Sequence, residues 1–385
     1  GFLIGMGNGV NVRVAQHLGA QHREETSRAV HTAFLLCLLA GLGIMALCLA
    51  LAANMLEMLH TKDDLLPGAV LYFRIYALGM PALGIFNFGN AVLSANGDTK
   101  RPLLYLTIAG ILNVILNLFF VIVCKMAADG VALASVISQY VSAILVVWHM
   151  MRLNDACKFY FQRLRFHGDE VGRILGLGVP AGIQHMIFAI ANLFIQAAVN
   201  SFDSTMVSGN AAAANTDTII YNIMMAFYTA CSTFMGQNWG AGHKKRMMDS
   251  YLISLFYAFA VAAVLGVAFY FAGRPFLYVF TNSADVVEAG MQRMKIMCFS
   301  YAISAFMDNT IAACRGLGRT IVPTVVVIMG SCVFRVIWVY TIFAHYHTIP
   351  SLYLLYAFSW TITAAAEIVY FLHCFRKLRL VPETA

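Results

Sequence analysis

Ten times along this chain an apolar run reaches the ~20 residues that a helix needs to cross a ~30 Å hydrocarbon core. Nothing else restricts the fold as tightly. Inside lipid a segment must pair its own backbone N–H and C=O groups, and a run of this length does so as a helix. Composition agrees, with 61% hydrophobic and 11% charged residues, against about 25% charged in an average soluble domain. Charge this sparse cannot cover a water-facing surface. The expected fold class is an all-α polytopic membrane protein, surrounded by membrane lipids.

Hydropathy and punctuation place a truncated helix over 1–18, ending at Gly19. Full helices follow at about 28–54, 66–93, 102–124, 129–151, 170–200, 208–239, 248–273, 284–314, 321–345 and 350–376. One set of loops comprises Ala20–Ser27, Ser94–Arg101, Arg152–Arg173, Gly240–Arg246, Arg315–Arg319 and the tail from Arg376. It carries most of the 25 Lys and Arg residues, and the alternate set holds only Lys62, Lys125 and Arg274. The positive-inside rule then puts the first set, and the carboxyl terminus, in the cytoplasm of a cell whose inner or plasma membrane the chain spans. The net charge of +7 is thus a topology signal and implies no nucleic-acid partner. Nine Cys, without C-x-x-C or other metal spacing, read as reduced packing residues. The opening at Gly1, inside an apolar run, reads as the start of a fragment.

An internal repeat organises the spans. Gln16-His17-Leu18-Gly19-Ala20 parallels Gln237-Asn238-Trp239-Gly240-Ala241 at an offset of 221 residues. At the same offset Gly97, Thr99 and Pro102 fall on Gly318, Thr320 and Pro323. Carried back to Asp169, the offset implies that about 50 residues of the first half, one helix and the start of the next, precede Gly1. Each half then has six helices. The expectation is two parallel six-helix lobes related by a pseudo-two-fold along the membrane normal. Residues 1–151 form an incomplete first lobe, 152–168 a cytoplasmic linker, 169–376 the second lobe and 377–385 a cytoplasmic tail. Such transporters bind substrate between the halves and rock about that interface.

Ionisable groups within spans carry the chemistry, because a charge in lipid costs several kcal/mol on most scales. Asp308, Asp217, Glu367, Arg335 and His185 all lie within spans. A buried carboxyl can trade a proton or Na⁺ for substrate. The alternative is a structural ion pair, for instance Asp308 or Glu367 with Arg335. His185, Asn192, Gln196 and Asn200 recur as a polar stripe on one helix, Asn113 and Asn117 sit one turn apart on another, and Ser135 with Gln139 follows on the next. Such oxygens either help to ligate Na⁺ or bond between helices. Pro81 and Pro180, within apolar spans, are expected to bend them. Gly5-Met6-Gly7-Asn8-Gly9 has no strand before it, so a phosphate cradle is excluded. No H-E-x-x-H occurs, and His345-Tyr346-His347 is a weak metal candidate. With no converging reactive groups the chain does not read as an enzyme, and no cofactor is expected beyond Na⁺ or H⁺ as coupling ion.

Gly178-Val179-Pro180-Ala181-Gly182, Gly236-Gln237-Asn238-Trp239-Gly240-Ala241-Gly242 and Arg315-Gly316-Leu317-Gly318-Arg319-Thr320 resemble the multidrug and toxic compound extrusion (MATE) family, in its bacterial branch. The resemblance covers essentially the whole chain. It implies twelve helices in two lobes and antiport of cationic or amphipathic organic compounds against Na⁺ or H⁺, by a monomer. It also implies a cation site on the fifth and sixth helices, where Asn113, Asn117 and Ser135 stand, although Asn117 replaces the family's Asp. Asp308, on the tenth helix, is offset by about a turn from the family's acid. Two other readings stay open, a lipid-linked oligosaccharide flippase, which needs a basic cavity, and a membrane-embedded enzyme or receptor.

Overall fold

The computed structural model describes residues 1–58 and 64–378, so Lys62 and all but the first two residues of the 377–385 tail lie outside the described residues. Its helices follow the hydropathy. They are α1 (Phe2–Gly19), α2 (Arg23–Met58), α3 (Leu66–Ala77), α4 (Met80–Ala95), α5 (Lys100–Leu118), α6 (Ala128–Met151), α7 (Gly168–Val199), α8 (Ser204–Gly240), α9 (Lys244–Tyr278) and α10 (Ala284–Gly316). Then come α11 (Ile321–Val327), α12 (Phe334–Trp338), α13 (Ala344–Tyr346) and α14 (Ile349–Lys377). Among the described residues, ten helical segments are long and apolar enough to cross a membrane.

Local chemistry sets the ends. Asp203 accepts the Met206 N–H at the start of α8, Ser283 the Val286 N–H at the start of α10, and Thr348 and Ser351 form a capping box on α14. Two spans differ from a plain helix. Pro81 does not bend a continuous 66–93 helix: the chain breaks at Leu78-Gly79, and Pro81 sits in the first turn of α4, where its missing N–H has no intrahelical acceptor to lose. Pro180 does lie inside α7, and Pro275 lies inside α9, which runs past the expected end at 273. The 321–345 span is broken by π turns at Ile328–Val333 and Val339–Phe343, with the five residues of α12 between them.

The repeat reappears in backbone geometry. At the end of α1 the Ala20 N–H donates to the Gln16 carbonyl and the His22 N–H to that of His17. At the end of α8 the same bonds join Ala241 to Gln237 and His243 to Asn238. Gln21 (φ 57°) and Gly242 (φ 77°) supply the left-handed residue that such a helix end requires. At a second place the Asp98 N–H reaches Leu93 around Gly97 (φ 87°), and the Arg319 N–H reaches Cys314 around Gly318 (φ 77°). Each partner lies at the 221-residue offset read from the sequence.

The chain divides into two compact units, Gly1–Gly182 and Ile183–Ala385. The division falls inside α7, not in the loop before it, and the first unit therefore takes in 152–168 and the opening turns of α7. Two contacts hold them there. Glu170 accepts both Nε and Nη2 of Arg13 at 2.8 Å and lies 2.9 Å from His17 Nε2, with all three side chains buried. The glycines of α1 also meet those of α7 backbone to backbone. A Cβ on Gly5 would lie 2.2 Å from the Gly182 nitrogen, and one on Gly9 2.5 Å from the Gly178 nitrogen. The glycine-rich stretch of α1 is thus one side of a small-residue helix crossing. In the second unit α10 is the centre, packed by α8, α9 and α14.

Candidate ion-coupling site

The second unit holds all five ionisable groups found within spans, with Glu367 and Arg335 buried and Asp217, Asp308 and His185 half-buried. Asp217 on α8 is fully engaged: it accepts from Arg293 and from the Tyr301 hydroxyl, both on α10. Arg293 also donates through Nη1 to the Asn210 carbonyl at 3.1 Å, while Asn210 Oδ1 accepts the Tyr353 hydroxyl at 2.6 Å. This is a charge-balanced pair, Arg293 buried and Asp217 half-buried, that ties α8 to α10 and, through Asn210 and Tyr353, to α14; a counter-ion and hydrogen bonds are what make the buried guanidinium tolerable.

Lower on α10, Arg315 reads from sequence as loop charge, yet it is 2% exposed. It donates to the Tyr228 hydroxyl and, through Nη2, to Gln184 Oε1 at 2.8 Å. Gln184 and Tyr228 were also missed. The available signal was an amide, Gln184, next to His185 in an otherwise apolar run, because a buried amide needs a partner.

Asp308 and Glu367 behave differently from Asp217. Among the described residues no hydrogen bond or ion pair engages the half-buried Asp308; Arg315 and Arg335 are the cations whose charge reaches it. Glu367, on α14, is 0% exposed and neither carboxyl oxygen has a donor. The ion pair weighed from sequence, Asp308 or Glu367 with Arg335, is not formed. Arg335 instead donates from Nε to Ser359 at 3.1 Å and packs on the rings of Phe188, Tyr356 and Trp360, at 5.6, 4.6 and 5.7 Å. An uncompensated buried carboxylate costs several kcal/mol. That cost falls on Glu367, which is sealed from solvent, whereas Asp308 keeps part of its surface exposed.

The remaining sequence candidates form separate groups. In the first unit Asn117 donates to Asn113 Oδ1 at 3.1 Å, and Asn113 to Ser135 at 3.3 Å. Asn117 Oδ1 stays buried without a donor, as does Gln139 Oε1 one turn after Ser135, so this cluster offers neutral oxygens and no carboxylate. Asn192 and Gln196 on α7, and Asn200 just past its end, are exposed, with Gln196 donating to Asn200 at 2.9 Å. They do not join the Asp308 group. His185 is half-buried, within reach of the Arg315 charge. His347 lies 3.0 Å from Ser201, and no cluster of three or more metal-ligating acids, His or Cys occurs among the described residues.

The fold and these buried acids define a polytopic helical membrane protein of transporter architecture. The MatE family model matches residues 1–119 and 180–341, well over half the chain, and the chain belongs to that family. It is 28% identical over 300 residues to the probable multidrug resistance protein YpnP of Bacillus subtilis, covering 78% of this chain and 67% of the relative. It is 24% identical over 294 residues to the FAD transporter of Shewanella oneidensis, covering 74% of this chain and 64% of the relative. The chain thus spans about two thirds of the length of these relatives, both named as transport or resistance proteins. The same fold occurs in the outward-facing structure of a multidrug resistance MATE family transporter of the MOP superfamily, at 20% identity and a TM-score of 0.89. That match covers 97% of this chain and 84% of the other. It also occurs in a MOP superfamily transporter from Pyrococcus furiosus, at 18% identity and a TM-score of 0.90 over 97% and 84% of the two chains.

Proposed function

We propose that this protein is a secondary antiporter of the plasma membrane, exporting cationic or amphipathic organic compounds in exchange for Na⁺ or H⁺, with its carboxyl terminus in the cytoplasm. The observation that carries the reading is the pair of donor-free acids in the second unit, Asp308 and Glu367. A carboxyl that no protein donor satisfies is a place for a transported cation or proton. Asp217 has its charge already matched by Arg293 and serves structure. Asp308, half-buried where Glu367 is sealed, is the group that exchanges with solvent and takes the coupling ion. The neutral Asn113, Asn117 and Ser135 cluster is secondary, since it lacks the negative charge that favours a cation. Alternating access, in this reading, uses the two six-helix lobes expected from the 221-residue repeat. The flippase reading asks for free basic groups in a cavity, whereas Arg293 and Arg315 already have partners and Arg335 is packed on rings.

The test is transport in proteoliposomes. A fluorescent organic cation is followed while a Na⁺ gradient and then a pH gradient is imposed. Saturable movement driven by one of them, abolished or uncoupled in Asp308→Asn, is the expected result. No movement under either gradient in folded protein, or an Asp308→Asn variant with unchanged rate and ion dependence, rejects the reading.

A further inference from the structure

The setting of Arg335 deepens that reading and rests on it. Three aromatic faces around one cation, Phe188 on α7 with Tyr356 and Trp360 on α14, make the kind of box that recognises organic cations. Here the box is filled by the protein's own guanidinium. Arg335 is 2% exposed, whereas the three rings are half-buried and so retain reachable area. Its hold is slight for a buried charge: one side-chain bond, to Ser359, and an Nη2 with no acceptor. Among the described residues no carboxylate pairs with it.

The acceptor that Arg335 lacks is close by. Ser331, one turn before Arg335, donates to Met307 Sδ at 3.6 Å, which sets the two stretches carrying Arg335 and Asp308 side by side. The Arg335 charge reaches Asp308 without forming an ion pair. The other groups around Asp308 are Arg315, tied to Tyr228 and Gln184, and the hydroxyls of Tyr221 and Tyr228. Arg335 also sits on a five-residue helix between two π turns, a backbone with alternative hydrogen-bond registers on either side.

We propose that Arg335 is a displaceable occupant of a cation box, and that it relays between substrate and coupling ion. An organic cation entering among Phe188, Tyr356 and Trp360 expels the guanidinium. Arg335 then pairs with Asp308 and expels the Na⁺ or proton held there. When the coupling ion returns to Asp308, Arg335 goes back to the rings and the organic cation leaves. Substrate and ion then exclude one another without sharing a site, a negative coupling that is reciprocal between the two ligands.

The experiment is equilibrium binding of radiolabelled tetraethylammonium to the purified protein, with Na⁺ titrated at fixed pH and pH titrated without Na⁺. In the unaltered protein the organic cation and the coupling ion compete. In Arg335→Ala the box is vacant, so tetraethylammonium binds about tenfold tighter, as the loss of a competitor worth one or two ring contacts predicts. In that variant the competition also disappears, a change that a packing role for Arg335 would not produce. Adding Tyr356→Ala removes the gained affinity. Arg335→Gln serves if the alanine variant does not fold. Asp308→Asn, which denies the displaced arginine its acceptor, weakens binding. Competition that persists unchanged without Arg335, or binding no tighter than in the unaltered protein, overturns the relay while leaving antiport standing. Absence of both binding and transport of organic cations in the unaltered protein removes the antiport reading and the relay together.

Discussion

Glu170→Gln tests whether the first turn of α7 is bound to the first unit by charge. Glu170 is 5% exposed, and its two oxygens take two bonds from Arg13 at 2.8 Å and one contact with His17 at 2.9 Å. Glutamine keeps the shape and one acceptor but no charge, and Arg13, 9% exposed, is left without a counter-ion. Removing one member of a buried pair costs ~3–5 kcal/mol. The retained acceptor puts this variant near ~3 kcal/mol, more than a hundredfold in the unfolding equilibrium. The assay is denaturant unfolding in detergent micelles, with midpoints and slopes compared between variants. The double variant Arg13→Gln/Glu170→Gln removes both charges, so it should recover most of the loss, to within about 1 kcal/mol of the parent. A single-variant loss below about 1 kcal/mol, the range of exposed pairs, would refute the reasoning. So would a double variant worse than either single one.

Gly9→Leu should separate α1 from α7, because its Cβ alone would stand 2.5 Å from the Gly178 backbone nitrogen, an atom that cannot rotate away. A loss of at least ~1–3 kcal/mol in the same unfolding assay is expected, whereas Gly43→Leu, with nothing within 4 Å of its Cβ, should be neutral. Asp217→Asn strands the buried Arg293, so it should lower thermal stability without changing which ion drives transport, the opposite of Asp308→Asn. Melting temperature and ion dependence measured on both variants separate the two roles.

Much of this protein is legible residue by residue. Each span announces itself because transfer of a side chain into lipid is a local energy, summed along a short run. Asp203, Ser283, Thr348, Gly97 and Gly318 mark helix ends through bonds to neighbours only a few residues away. The 221-residue offset then shows that the helix ends around Gly97 and Gly318 are built alike, and their bonds agree. Asp308 stands out for a similar reason, as a charge in an apolar run. What it is paired with is another matter. Asp217 and Asp308 are both aspartates within spans, and only the folded bundle shows that Arg293 and Tyr301 close on one while the other is left without a donor. Likewise Arg315, a loop charge by position, becomes a buried partner of Tyr228 and Gln184, and Arg335, a natural mate for an acid, lies among rings. The opening turns of α7 belong with the first unit because Glu170 meets Arg13 and Gly178 meets Gly9, contacts between residues far apart in the chain. Pairing depends on angstrom-scale distances across helices, set by how all the spans pack at once, and no local property of the chain records them.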